Sequence, residues 1–79
     1  MKTVEVITRK GCHLCDIAVG ELEAVRKGHP FVLQLVHLEE HPEKTGQYGN
    51  DIPVILVDNK EVCRHRLDRA ALLESLAGS

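Results

Sequence analysis

Thr3-Val4-Glu5-Val6-Ile7-Thr8-Arg9-Lys10-Gly11-Cys12-His13-Leu14-Cys15 is the stretch whose reading decides the fold. Its apolar, β-branched start reads as a strand over 3–8. Thr8 to Gly11 reads as a turn, and the two cysteines open an amphipathic pattern that predicts a helix over 12–27. Cys12 then lies at a strand-to-helix junction with its sulfur over the helix N-terminus. Free backbone N–H groups and the positive end of the helix dipole stabilise a thiolate there. Such a cysteine is a nucleophile, and Cys15, one turn on, can close a disulfide with it.

Working outward, Leu14, Ile17, Ala18, Leu22 and Val25 recur at spacings of three and four, which places them on one helix face, expected to be buried. Gly28 followed by His29-Pro30 is a stop signal. Phe31 to Leu38 is nearly continuous apolar, as expected of a parallel strand covered on both faces. Strand, helix and strand make a βαβ unit with parallel pairing. The polar stretch from Glu39 to Asp51 predicts one short helix around 42–48. Ile52 to Val57 is the third strand, with proline near its start, where a sheet tolerates it. Asp58-Asn59-Lys60 is a tight turn and Glu61 to Arg66 a returning hairpin strand. Asp68 caps a last helix over 69–77, with Leu72, Leu73 and Leu76 inward and a staple between Leu67 and Leu72.

Seventy-nine residues allow one small domain, taken as 1–79. With 43% apolar and 28% charged residues the composition suits a soluble globular protein and opposes disorder. A net charge of −2 and only Phe31 and Tyr48 as aromatics offer no nucleic-acid footprint. No apolar stretch approaches the ~20 residues of a membrane span. Met1-Lys2-Thr3 leads into a strand rather than a signal-peptide core. The expectation is a cytoplasmic monomer. Three cysteines are too few for a secreted disulfide framework, and in a reducing compartment a close pair points to catalysis or metal.

The order β-α-β-(α)-β-β-α, with Cys12-x-x-Cys15 opening the first helix and Ile52-Pro53 opening the third strand, resembles the thioredoxin superfamily over essentially the whole chain. In size and in Thr8 to Cys15 it is most similar to small bacterial glutaredoxin-like proteins. The resemblance implies a thioredoxin-like α/β fold: a four-stranded mixed sheet with helices on both faces. It also implies a thiol–disulfide oxidoreductase, with Cys12 attacking and Cys15 resolving. Pro53 would be the cis-proline whose loop faces the disulfide and binds substrate backbone. Substrate-binding candidates are Arg9, by resemblance to the basic residue preceding the motif in glutaredoxins, with His13, Leu14, Ile52 and Pro53. No tightly bound cofactor or metal is implied. The implied partners are protein or small disulfides, with glutathione or a disulfide reductase as candidate source of electrons.

The departures are specific. His13-Leu14 stands where glutaredoxins usually carry proline and an aromatic, and Cys63-Arg64-His65-Arg66 where they often carry a glycine pair followed by acids. Gly11 replaces the tryptophan that precedes the motif in thioredoxins, and Val6 falls where thioredoxins bury an acid. These remove the usual grounds for naming glutathione.

Each candidate has a plainer reading. His13 tunes a neighbouring thiolate or is an exposed first-turn residue, and Leu14 offers a partner an apolar contact. Cys63 is a small buried hydrophobe or an additional redox thiol. Cys12, Cys15, Cys63 and His65 together have the ligand types of a zinc site, with unsuitable spacing. Arg64 and Arg66 alternate on a strand and are solvated, or one grips a carboxylate. Tyr48 packs, Asp51 points its carboxylate toward the substrate groove, and Gly49-Asn50 is a turn. His29, His37 and His41 are structural or exposed. The rival functions are a thioredoxin-fold binding or adaptor domain with an idle cysteine pair, and a small zinc-binding protein.

Overall fold

The computed structural model describes residues 1–78. Along the chain come β1 (Thr3–Thr8), α1 (His13–Arg26) and β2 (Val32–His37), then two 3-10 turns at Leu38–Glu40 and Pro42–Lys44. The single-turn α2 (Thr45–Tyr48), β3 (Val54–Val57), β4 (Lys60–Arg64) and α3 (Arg69–Ala77) follow. This is the order read from the sequence. The four strands form one mixed sheet in the order β2-β1-β3-β4. β1 runs parallel to β2 and antiparallel to β3, and β3 and β4 form an antiparallel hairpin.

The strands sort their side chains by parity, as the two-residue period requires. Val4 and Val6 of β1, with Ile55 and Val57 of β3, face α1 and α3. They pack there on Ala18, Leu22, Val25 and Leu72. Ile7, Val54 and Leu56 face the other way and are covered by Leu38, Tyr48 and Ile52 from the turns between β2 and β3. The second face thus has α2 and the 3-10 turns as its lid. Full burial of Ile7, Leu22, Ile55 and Leu72 is worth about 1.5–3 kcal/mol each, which sets where the fold's stability resides.

Two expectations are corrected. β2 is an edge strand, not one covered on both faces, and Val32 and Leu35 are 42% and 44% exposed. An apolar run without alternation does not reveal which strand takes the centre. Here β1 takes it, paired on both sides. On α1 the buried stripe is Cys15, Ala18, Leu22 and Val25. Leu14 and Ile17 lie outside it, 53% and 46% exposed. Cys15 counts as a small apolar residue at the same helical spacing and rotates the stripe away from them.

Local chemistry fixes the joints. Lys27 ends α1, and the Gly28 and His29 amides both donate to the Val25 carbonyl. Asp58 and Asn59 turn the β3–β4 hairpin with φ of 47° and 70°, a left-handed pair that Asn and Asp tolerate best after glycine. The Asp58 carboxylate also accepts the Thr3 amide at 2.9 Å. Asp68 caps α3 by accepting the Ala71 amide at 3.1 Å, with Leu67 and Leu72 both in the core, as a staple requires. At the other end of α3, Lys2 Nζ donates to the Ser75 and Gly78 carbonyls. Among the described residues no helix is long and apolar enough to cross a membrane.

Candidate active site

β1 delivers the chain to the site and Gly11 turns it. With φ of 80°, Gly11 occupies backbone space that any other residue enters with strain. The Cys12 amide donates to the Arg9 carbonyl at 3.3 Å, closing the turn. The Lys10 amide donates to Glu39 Oε2 at 2.7 Å, so the 3-10 turn after β2 holds the same loop from outside. That bond keeps the Glu39 carboxyl below the usual carboxylate range.

Cys12 is the N-cap of α1. Its backbone is extended (φ −89°, ψ 102°) and its Sγ accepts the Cys15 amide at 3.2 Å, as a serine or aspartate oxygen would at this position. Its carbonyl accepts the Asp16 amide, starting the helix. Cys12 and Cys15 are joined by a disulfide, with Cα atoms 5.2 Å apart. The two sulfurs differ in access: Cys12 is half-exposed, whereas Cys15 is 1% exposed and faces the core.

A groove of about 350 Å³ opens beside Cys12. Arg9, Gly11, Cys12, His13 and Leu14 line one wall, and Gly49, Asn50 and Ile52 the other. Four of the sequence-derived candidates, Arg9, His13, Leu14 and Ile52, therefore meet around Cys12. Pro53 follows an Ile52–Pro53 bond that is cis, as the resemblance implied, but its own side chain is fully buried. Its ring supports the loop from behind, and Ile52 presents the surface. Gly49 and Asn50 were not singled out from sequence beyond a turn. A Cβ on Gly49 would sit 2.5 Å from the Thr45 carbonyl oxygen, so only glycine lets α2 end this close to the groove.

Asp51 corrects another expectation. Its carboxylate is not on the groove wall. Oδ1 accepts from His65 Nε2 at 3.0 Å, and Oδ2 lies 3.0 Å from Arg64 Nη1. The His65 bond, helped by the Arg64 charge, holds the Asp51 carboxyl below its ordinary range. Arg64 also grips Glu61 through two bonds of 2.7 and 2.5 Å, so it is engaged by this chain's own carboxylates rather than solvated. Arg66 is exposed.

Cys63 packs at the margin of the α1–α3 core and lines a different groove, with Arg64, Arg66, Leu67 and Asp68 among its neighbours. Burial pushes its thiol pKa up, and the Asp68 and Glu61 charges add to the rise. The Asp68 amide, donating to Cys63 Sγ at 3.4 Å, opposes it. The four residues of the zinc alternative are not brought together. Among the described residues no group of three or more His, Cys, Asp or Glu side chains is placed to hold a metal ion.

A family model for the glutaredoxin-like domain (DUF836) matches residues 3–77. The chain belongs to the glutaredoxin-like family. This glutaredoxin-like chain is 29% identical over 79 aligned residues to the "Glutaredoxin-like protein YDR286C homolog" of Dictyostelium discoideum. That match covers 92% of the chain and 73% of the relative. The solution structure of protein Ne2328 from Nitrosomonas europaea superposes with a TM-score of 0.87 at 27% identity, over 96% of this chain and 92% of that one. Fasciola hepatica thioredoxin superposes with a TM-score of 0.60 at 22% identity, over 95% and 77% of the two chains. The latter likeness speaks to the fold alone. The fold is thioredoxin-like, and a Cys-x-x-Cys pair opens its first helix.

Proposed function

We propose that this glutaredoxin-like domain is a dithiol–disulfide oxidoreductase. The observation that carries the reading is the asymmetry of its two sulfurs. Cys12 is half-exposed at a helix N-cap, beside a groove and bonded by a helix amide, while Cys15 is buried within disulfide reach. The reactive form of such a pair is thiolate outside and thiol inside.

In the reduced protein, Cys12 attacks one sulfur of a substrate disulfide. The substrate S–S bond breaks, a mixed disulfide forms on Cys12, and the departing thiolate takes a proton from solvent. Cys15 gives up its proton and attacks Cys12 Sγ, which forms the intramolecular disulfide and releases the second substrate thiol. Two electrons pass to the substrate in all. A second dithiol or two glutathione molecules would return them, and no metal or bound organic cofactor takes part. Val6, fully buried, offers no carboxylate to take a proton.

The groove supports protein or small-molecule disulfides as substrates. Leu14 and Ile52 give apolar contact, Arg9 and His13 polar contact, and Pro53 shapes the loop between. The monomer acting in the reducing cytoplasm belongs to the same reading. The test is to trap the mixed disulfide in cells with Cys15→Ser and identify what is bound to Cys12. Recovery of a protein or of glutathione on Cys12 supports the reading. Recovery of neither favours a binding domain with an idle cysteine pair.

A further inference from the structure

His65 stands in the left-handed region, with φ of 74°, where glycine is at ease and a residue with a Cβ is held only by its surroundings. Two contacts hold it there, and a third steadies its partner. Its amide donates to the Pro53 carbonyl at 2.7 Å. Its ring donates from Nε2 to Asp51 Oδ1, a direction fixed because an ionised carboxylate can only accept. Its neighbour Arg64 holds the other Asp51 oxygen. The residues before and after Ile52 are therefore both tied to the end of β4. Ile52, between them, forms the groove wall facing Cys12.

We propose that Asp51, His65 and Arg64 form a clamp that positions Ile52 against Cys12 and so sets how well an incoming disulfide docks. The clamp rests on the proposed function. These are positioning residues: none of the three lines the groove. Glu61, bonded to Arg64, and Tyr48, close enough to Arg64 to influence its charge, complete the charged and titratable surroundings. The pairs are partly exposed, with His65 at 60% and Asp51 and Arg64 at 36% side-chain exposure. Each is worth little to global stability. Removing one therefore loosens a loop rather than unfolding the domain.

The test uses His65→Gly, which accepts the left-handed backbone and keeps the amide bond to Pro53 while deleting the ring. Asp51→Ala removes the other partner. Prereduced protein is mixed with an excess of a fluorescence-quenched peptide disulfide, and the single-turnover rate is followed against peptide concentration. Both variants should raise the half-saturating concentration about three- to fivefold, the range an exposed pair can carry, with the maximal rate kept. The double variant should cost no more than Asp51→Ala alone, because that variant already removes the His65 contact along with the Arg64 one. Alkylation of Cys12 should not change. Amide exchange at Ile52 and His65 should quicken by a similar factor. Unchanged half-saturation in an active protein, with additive or absent effects, overturns the clamp. If the unmodified protein reduces no disulfide, the functional reading fails separately. Amide exchange then decides the clamp, with unchanged rates in His65→Gly refuting it.

Discussion

Cys12 and Cys63 have the same side chain in nearly the same local bond, and the structure gives them different surroundings. Each sulfur accepts a backbone amide at the start of a helix: Cys12 from Cys15 at α1, Cys63 from Asp68 at α3. Around Cys12 the neighbours in sequence are Arg9, Lys10 and His13, and Cys12, like Cys63, lines a groove. Around Cys63 the neighbours are Asp68 and Glu61 and the margin of the core, which together raise its thiol pKa. The comparison teaches that a helix-terminal amide does not by itself make a reactive thiol. Burial and the sign of nearby charge decide whether the amide's help prevails.

The largest predicted difference between the two sites is catalytic. Cys12→Ser should lower disulfide reduction by about a thousandfold or more, since a hydroxyl is not ionised at neutral pH. Cys63→Ser should leave the same single-turnover rate within about twofold, a surface-like effect. A large loss from Cys63→Ser alone would break the comparison. Next in size is reactivity. In reduced protein at pH 7, mass-spectrometric counting of iodoacetamide adducts should show Cys12 labelled at least about tenfold faster than Cys63.

Asp68→Asn sharpens the contrast. Asparagine keeps the cap on α3 but removes the charge beside Cys63, so the alkylation midpoint of Cys63 should fall while that of Cys12 stays put. Asp68→Ala, losing the cap as well, should cost about 1 kcal/mol in denaturant unfolding.

Acid should loosen the loops that the Glu39 and Asp51 carboxylates hold. The carboxyls of Glu39 and Asp51 ionise below their unfolded values in the fold. A depressed carboxyl contributes stability that is present above its unfolded pKa and lost as pH falls through its folded one. Protection of the Lys10 and His65 amides, taken as exchange relative to the unstructured rate at each pH, should therefore fall below about pH 4, the unfolded carboxylate range, and stay flat from there to neutrality. The smallest effect is Gly20→Ala. The site is exposed helix with nothing within 4 Å of an added Cβ. It should stabilise the domain by about 0.5–1 kcal/mol and leave both cysteine profiles unchanged.

The part of the site built from contiguous residues was legible in the sequence. Val4 to Cys15 combines a strand pattern, a turn glycine and a helix start, so the placing of Cys12 needs only local rules. The order of elements was equally legible, because each is bounded by its own cap or turn, such as Asp68 for α3. What the sequence withheld is long-range. Glu39 reaches Lys10 across 29 positions, and no propensity marks an acid after a strand as the holder of a distant loop. The Asp51–His65 bond likewise spans 14 positions. The edge position of β2 is hidden because an apolar run does not report whether both faces are covered. Leu14 and Ile17 fit an inward stripe by spacing until Cys15 takes its place in the packing.

That α1 presents Cys12 as a thiolate is tested most directly by the pH dependence of Cys12 carboxymethylation in reduced protein. The predicted midpoint lies well below the ~8.5 of an unperturbed cysteine. A midpoint at or above that value would contradict it.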